Sequence, residues 1–259
     1  MNFKNKKVLI TGGNKGIGWG LAKRFLAAGS KVLVTGRDTV ALKKVKAEFP
    51  KIKTYKNDIS SPKERIRLSK YVQKTFSDID VLINNAGIQR RVPLAEDAAE
   101  WEVRQNEIDI LFAAPVHLNH LLIPLLLRGN KESLIVNVTS GGAFIPQPFA
   151  PVYSACKAAM HSYTMNVRYA LSETNCRVVE LAPPAVQTDL GGAGIHHFGA
   201  QLDEFCDKVF AELSDNNKTE IGFGHTDGLY FQIKGKPQQR VFDASATQIA
   251  VKIYKAENE

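Results

Sequence analysis

Tyr153 and Lys157 stand four residues apart, and Ser140 lies thirteen residues upstream of the tyrosine. On a helix, a spacing of four places two side chains on one face, one turn from each other. That arrangement has a chemical use. A tyrosine hydroxyl ordinarily ionises at about pH 10, too high for a base at neutral pH. An ammonium one turn away favours the phenolate, so the pair can hand a proton to, or take one from, a substrate oxygen. Alone, such a pair is usually surface decoration, so the surrounding elements decide its meaning.

A second group is Thr11-Gly12-Gly13-Asn14-Lys15-Gly16-Ile17-Gly18. Glycines let a chain turn tightly and let a pyrophosphate approach the backbone, and a helix N-terminus offers unpaired N–H groups at its positive end. A glycine cluster by itself is a weak signal. Between the first strand and first helix of an alternating chain it marks a dinucleotide site.

The periodicity supplies that context. Apolar strand-type runs fall at 7–10, 31–35, 52–55, 80–83, 134–138 and 177–181, with helical patterns at about 16–28, 39–49, 61–76, 100–127 and 152–172. Gly29 stops the first helix as a left-handed cap. Strands apolar on both faces, alternating with helices, predict an α/β fold: a doubly wound parallel sheet covered on both sides. Beyond Leu190 the pattern weakens. Residues 202–213 read as helix and 219–224 as a short strand, while 228–233 are strand-like and 246–255 weakly helical. The chain is expected to be a single domain over 1–259, with 190–228 as a loop and helix region and 229–259 as a C-terminal extension.

Composition narrows the function. The 259 residues carry 34 basic and 26 acidic side chains, a net charge of +8, with 44% hydrophobic and 23% charged residues, which excludes a disordered chain. The basic groups at 4–7, 43–46 and 63–67 do not alternate with aromatics, so nucleic acid is not expected as a partner. Cys156, Cys176 and Cys206 form no CxxC and cannot all pair, which fits a reducing compartment. The apolar stretch Leu111–Leu127 is shorter than the roughly 20 residues that span a bilayer, and it contains Pro115, His117, Asn119, His120 and Pro124. It reads as a buried helix. No signal segment is evident at Met1, so a soluble, cytoplasmic protein without a membrane partner is expected.

The glycine loop, Asn84-Asn85-Ala86-Gly87 and Tyr153-Ser154-Ala155-Cys156-Lys157, in that order, resemble the short-chain dehydrogenase/reductase family in its compact single-domain form, over roughly residues 5–190. Glu107-Ile108-Asp109-Ile110 and Ala114-Pro115-Val116-His117-Leu118 also resemble DltE-like bacterial oxidoreductases linked to cell-wall D-alanylation loci. The resemblance implies a Rossmann-type sheet of seven parallel strands and an oxidoreductase using NAD(H) or NADP(H) on a carbonyl or alcohol. It implies Ser140, Tyr153 and Lys157 as the catalytic set. It places the cofactor against Gly12, Asn14, Lys15, Gly16, Ile17 and Gly18, its adenine at Asp58 and Ile59, and its nicotinamide ribose beside Asn85, Ala86 and Gly87 with Tyr153 and Lys157. Pro183, Val186 and Thr188 complete that set. For Asp58, capping of the helix near Ser61 is an alternative reading.

Two departures stand out. Leu111 occupies the position of the family's asparagine, which holds a water behind the lysine; Asn106, five residues earlier, cannot simply replace it. Pro184 stands where a glycine is usual, although Val186 and Thr188 keep their places. For the nucleotide, the acid that would bind both ribose hydroxyls of NAD falls at Gly36, which has no side chain, whereas Arg37 and Lys15 can reach a 2′-phosphate. This favours NADP(H); the alternative is NAD with Asp38 serving its ribose. No metal is expected, since His196-His197 lacks a third ligand and suits substrate contact or exposure. His117 and His120 read as interface or core residues, and Cys156 as a packed side chain. The helices at 100–127 and 152–172, with the small Ala158 and Ala159 and with Met160, suggest a homo-oligomer, a dimer or tetramer, by family resemblance. Two function classes follow: an NADP(H)-dependent oxidoreductase, or a cofactor-binding sensor or scaffold with little turnover.

Overall fold

The computed structural model describes residues 1–228 together with Pro237, Arg240, Val241 and Ala244. Seven strands pair in one sheet: β1 (Lys7–Ile10), β2 (Lys31–Gly36), β3 (Lys53–Lys56), β4 (Val81–Asn84), β5 (Ser133–Val138), β6 (Cys176–Leu181) and β7 (Glu220–Ile221). Their order is β3-β2-β1-β4-β5-β6-β7, and every pairing is parallel. The order reverses at β1 and β4, leaving a crevice at their carboxyl ends.

Successive side chains of a strand point to opposite faces, so each central strand feeds two cores. On one face Val8, Ile10, Val34, Ile83 and Val136 pack with α1 (Gly16–Ala27), α2 (Thr39–Glu48) and α7 (Leu202–Ser214). On the other, Leu9, Leu33, Leu82, Ile135 and Val178 pack with α3 (Pro62–Thr75), α5 (Ala114–Leu126) and α6 (Pro151–Ala170). The edge strand β3 departs from the expectation of two apolar faces. Its Lys-Thr-Tyr-Lys sequence stays exposed or half-buried, because it has a neighbour on one side only.

Local chemistry sets the helix ends. Gly29, at φ 82°, stops α1 as anticipated. Asp38 caps α2 by accepting from the Val40 and Ala41 N–H groups. Ser61 caps α3 by accepting from the Glu64 N–H. Asp58 therefore does not cap that helix; its carboxylate takes the N–H and hydroxyl of Ser60 instead.

The long helix runs from α4 (Trp101–Ile108) through a π-turn, Asp109–Ala113, into α5. The physical reason is Pro115, which has no N–H for the Leu111 carbonyl four residues back and whose ring crowds that carbonyl. Trp101–Leu126 is long and apolar enough to cross a membrane by length and composition. In this chain its α5 part buries Leu118, Leu122 and Leu126 beneath the sheet.

Of the 190–228 segment, only the stretch before α7 adjoins the crevice. From Leu202 the chain turns away and packs on α1, with Cys206 against Gly20 and Arg24 paired to Asp203 and Asp207. The expected strand at 219–224 forms over Glu220–Ile221. The expectations for 229–233 and 246–255 lie outside the described residues.

Candidate active site

The site residues foreseen from sequence converge on the carboxyl edge of the sheet. Gly12 and Gly16 adopt φ of 61° and 50°, which side-chain-bearing residues seldom accept. A Cβ on Gly12 would stand 2.9 Å from the Ala86 backbone. The loop is pinned to the end of β4: the Thr11 hydroxyl accepts from the Asn85 and Ala86 N–H groups at 3.0 and 3.1 Å, and the Asn85 amide donates to the Thr11 and Gly12 carbonyls. Gly18 gives room for that amide, since a Cβ there would lie 2.4 Å from it.

The N-terminus of α1 carries no side-chain cap and no acidic residue in its first turn. Its free N–H groups behind two left-handed glycines make a cradle suited to a pyrophosphate. The residues therefore fit a dinucleotide. Thr188 faces the same loop, with its methyl 3.2 Å from where a Cβ of Gly16 would stand. Val186 buries its side chain and leaves its backbone beside Ala200, while the Pro183 carbonyl accepts from the Gly141 N–H. Asp58 and the buried Ile59 follow β3 at the same edge. Ile17, half-buried, packs on the core cluster behind the loop.

Around the end of β2, the Asn14 side chain covers Gly36, leaving a Cβ only 2.4 Å from its amide oxygen. Lys15 pairs with Asp38 at 2.7 Å, and Arg37 is exposed. Asp38 thus has one oxygen on the α2 amides and the other on Lys15, and the Lys15 bond holds its carboxyl below the usual range.

Ser140, Tyr153 and Lys157 are brought together and buried. The Ser140 oxygen accepts from the Gly142 N–H at 3.1 Å, which leaves its own proton to point outward. Lys157 donates to the Val138 carbonyl at 2.7 Å, with its ammonium 5.6 Å from the centre of the Tyr153 ring. Burial raises the Tyr153 hydroxyl above its ordinary value, the Ser140 hydroxyl lowers it, and the charge of Glu107 raises it further. Burial brings Lys157 down to about 8. Cys156 is pushed up to about 11 by burial, a packed and unreactive thiol.

Leu111 also lies at the site, in a cluster with Ala150, Tyr153 and Cys156. Behind Lys157 is a void of about 10 Å³ lined by Thr11, Asn84, Ile110, Leu111, Pro115 and Lys157 among others. That is room for one water. The Asn84 amide oxygen is buried there without a hydrogen-bond partner. A larger cavity, about 380 Å³, opens at the opposite edge of the sheet, around Met1, Ser133, Cys176 and Asn216, remote from these groups.

Sequence reasoning missed several neighbours. Glu107 is 1% exposed and accepts from the Arg90 N–H, and burial raises its carboxyl. Gln89, Arg91, Gln147 and Phe149 join one another beside Ser140. Two arginines just past Asn-Asn-Ala-Gly were the available signal. His196 is buried, while His197 is exposed and bonds its own turn at the Gly194 carbonyl. Among the described residues no group of three or more His, Cys, Asp or Glu could hold a metal.

The family profile described as short chain dehydrogenase matches residues 6–196. Over 253 residues the chain is 37% identical to DltE, an uncharacterized oxidoreductase of Bacillus subtilis (strain 168), covering 96% of this chain and 99% of that one. A 3-ketoacyl-(acyl-carrier-protein) reductase from Brucella melitensis, solved in complex with NADH, superposes with a TM-score of 0.78 at 26% identity, covering 86% of this chain and 99% of the other. A short-chain dehydrogenase from Streptomyces avermitilis shares the fold with a TM-score of 0.78 at 20% identity, covering 95% and 96%.

The burial of Lys157 makes a prediction for the nucleotide-free protein. Its proton affinity is lower folded (about 8) than unfolded (10.5), so the unfolded chain binds more protons between those values and stability rises with pH across the window. The wild type should gain stability relative to Lys157→Met as pH climbs from about 8 towards 10.5 in thermal or denaturant melts. A difference that stays constant with pH would show a solvated lysine.

Proposed function

This chain belongs to the short-chain dehydrogenase family of oxidoreductases, and we propose that it interconverts a carbonyl and an alcohol with NADP(H), using Ser140, Tyr153 and Lys157. The observation that carries the proposal is the meeting of these three side chains at the carboxyl edge, over a glycine loop whose helix end is left uncapped.

A bound nicotinamide dinucleotide would supply or accept the hydride. Ser140, its oxygen already occupied by the Gly142 N–H, turns its proton toward the carbonyl oxygen and orients it. Tyr153 stands as a neutral hydroxyl, raised by burial, and gives its proton to that oxygen during reduction. Lys157, one turn along, favours the phenolate that remains and anchors the helix through Val138.

Leu111 cannot hold a water through its side chain. The path behind Lys157 runs instead through the void beside Asn84, whose amide oxygen lacks a partner among the described residues. Replenishment of the tyrosine proton therefore does not require an asparagine at 111.

Three features support NADP(H) over NAD(H). Asn14 occupies the space where a side chain at 36 would meet the ribose, Asp38 has both oxygens engaged, and Arg37 is exposed at the rim beside Lys15. For the assembly we favour a homodimer or a tetramer built from dimers. Trp101 and Val103 on α4 and Met165 and Tyr169 on α6 leave apolar surface in solvent, Tyr169 being 84% exposed. The three buried, unpaired cysteines support a reducing, cytoplasmic setting.

Three outcomes are expected. Tyr153→Phe should lower NADPH oxidation with aldehydes and ketones by about 10²- to 10⁴-fold while nucleotide binding persists. Tight NADPH binding by the wild type without turnover on any carbonyl would instead indicate a sensor. Arg37→Ala should weaken NADPH about tenfold or more in a fluorescence titration and leave NADH little changed; equal effects on both nucleotides would remove Arg37 from the 2′-phosphate. Light scattering at micromolar concentration should return at least a dimeric mass, and a monomeric mass would argue against the paired helices.

A further inference from the structure

Beyond Ser140 lies a group of polar side chains that the proposed reaction itself does not use. Gln147 lies beside Gly142, where a Cβ would be 3.3 Å from its amide carbon, and its N–H donates to Ser154 next to Tyr153. The Gln89 amide donates to Gln147 at 3.1 Å. Arg91 donates to the Gln89 oxygen at 3.4 Å and stacks on Phe149, its guanidinium carbon 4.0 Å from the ring centre. The turn at Gly191 closes over Gln89 and Arg91, and His196 follows it.

Resting on the oxidoreductase reading, we propose that Arg91 and His196 form a recognition site for an anionic group, so that the carbonyl substrate carries a carboxylate, sulfonate or phosphate. The argument begins with unmatched donors. A guanidinium has five N–H donors, and those of Arg91 have one long bond to Gln89 among the described residues. Among the described residues no carboxylate offsets its charge, although burial already acts against it. Other arginines of this chain are treated differently. Arg90 and Arg104 share Asp97, and Arg24 holds Asp203 and Asp207. Arg177 is saturated by the carbonyls of Leu213, Asp215 and Lys218. The neighbouring acid, Glu107, turns to the backbone of Arg90.

His196 is the independent observation. It is 9% exposed, and neither ring nitrogen has a well-formed hydrogen bond among the described residues, the Leu190 backbone being the polar group that acts on the ring. Buried polar atoms are normally paired, and each orphan asks for a ligand. The field of Arg91 reaches this ring, so one anion between them would satisfy both. The planar fork of Arg91, held over the Phe149 ring, suits a two-oxygen face of an oxoacid.

The test compares NADPH-dependent reduction of 4-oxobutanoate, its methyl ester, 4-oxobutanesulfonate and 4-oxobutyl phosphate by the full chain. The acids should exceed the ester in kcat/KM by about tenfold or more, and R91M should collapse that ratio by about ten- to a hundred-fold. The ranking among the three acids identifies the anion. R91K, which keeps the charge without the fork, should restore part of the ratio and serves if R91M does not fold. Equal kcat/KM for acids and ester, or a ratio that neither variant changes, overturns the proposal. If no aldehyde is reduced, the oxidoreductase reading fails, and calorimetry with glutarate on the NADPH-loaded protein then judges the anion site separately. Binding that R91M abolishes supports it, and absence of binding in the wild type overturns it.

Discussion

The register of α6 over the sheet is the constraint on which the site depends. Two hydrogen bonds set it: Asn137 of β5 donates to Thr164, and Lys157 donates to the carbonyl of Val138, the next residue of the same strand. Both strand groups are buried, so neither can exchange its partner for water without cost. With α6 held at two points two turns apart, Tyr153 cannot slide along the sheet, and it comes to rest by Ser140 at the end of β5. A one-residue slip would rotate the tyrosine by about 100° around the helix and out of the crevice.

The same economy of buried polar groups extends through the carboxyl edge. Asn84 of β4 donates to Asn119 of α5 and to Asn137, tying three elements together where an apolar core would tolerate slippage. Thr139, beside Ser140, is held by Glu180 of β6, whose second oxygen bonds His161 one turn beyond Lys157 on α6. That bond raises the His161 ring above its ordinary value, so the stabilisation it contributes is complete in acid and fades as pH rises through the folded value. Networks of this kind specify one arrangement, and the few buried side-chain atoms left unpaired, among them the Asn84 oxygen, the Asn119 amide nitrogen and the His196 ring, are the exceptions within it.

The two ends of the crevice divide the work by charge. At the nucleotide end, the cradle uses backbone N–H groups and a helix terminus, with Lys15 balanced by Asp38. At the opposite end the Arg91 guanidinium and the His196 imidazole pair with no acid among the described residues. Between them the groups proposed to react are neutral or shielded: burial raises the Tyr153 hydroxyl, and the Lys157 ammonium is directed at a carbonyl. A small carbonyl compound fixed at its far end would present its oxygen to Ser140 by geometry alone, which is how remote binding contributes to orientation.

Much of this was legible in the chain itself. Short apolar runs alternating with 3.6-residue periods determined the doubly wound sheet, because buried parallel strands have few other solutions. The i, i+4 pair at 153 and 157 and the glycine spacing at 12–18 carried their chemistry in local geometry. Other features needed the tertiary structure. The stretch around Pro115 reads as an unbroken helix in sequence, whereas in the fold a π-turn there places Leu111 against Tyr153. Nothing in the sequence told that Asp38 pairs with Lys15 across the loop. Arg91, Phe149 and His196 are separated by 58 and 47 residues and carry no shared pattern. Their meeting depends on where three loops end above the sheet, and loop paths follow from contacts distant in sequence rather than from local propensity.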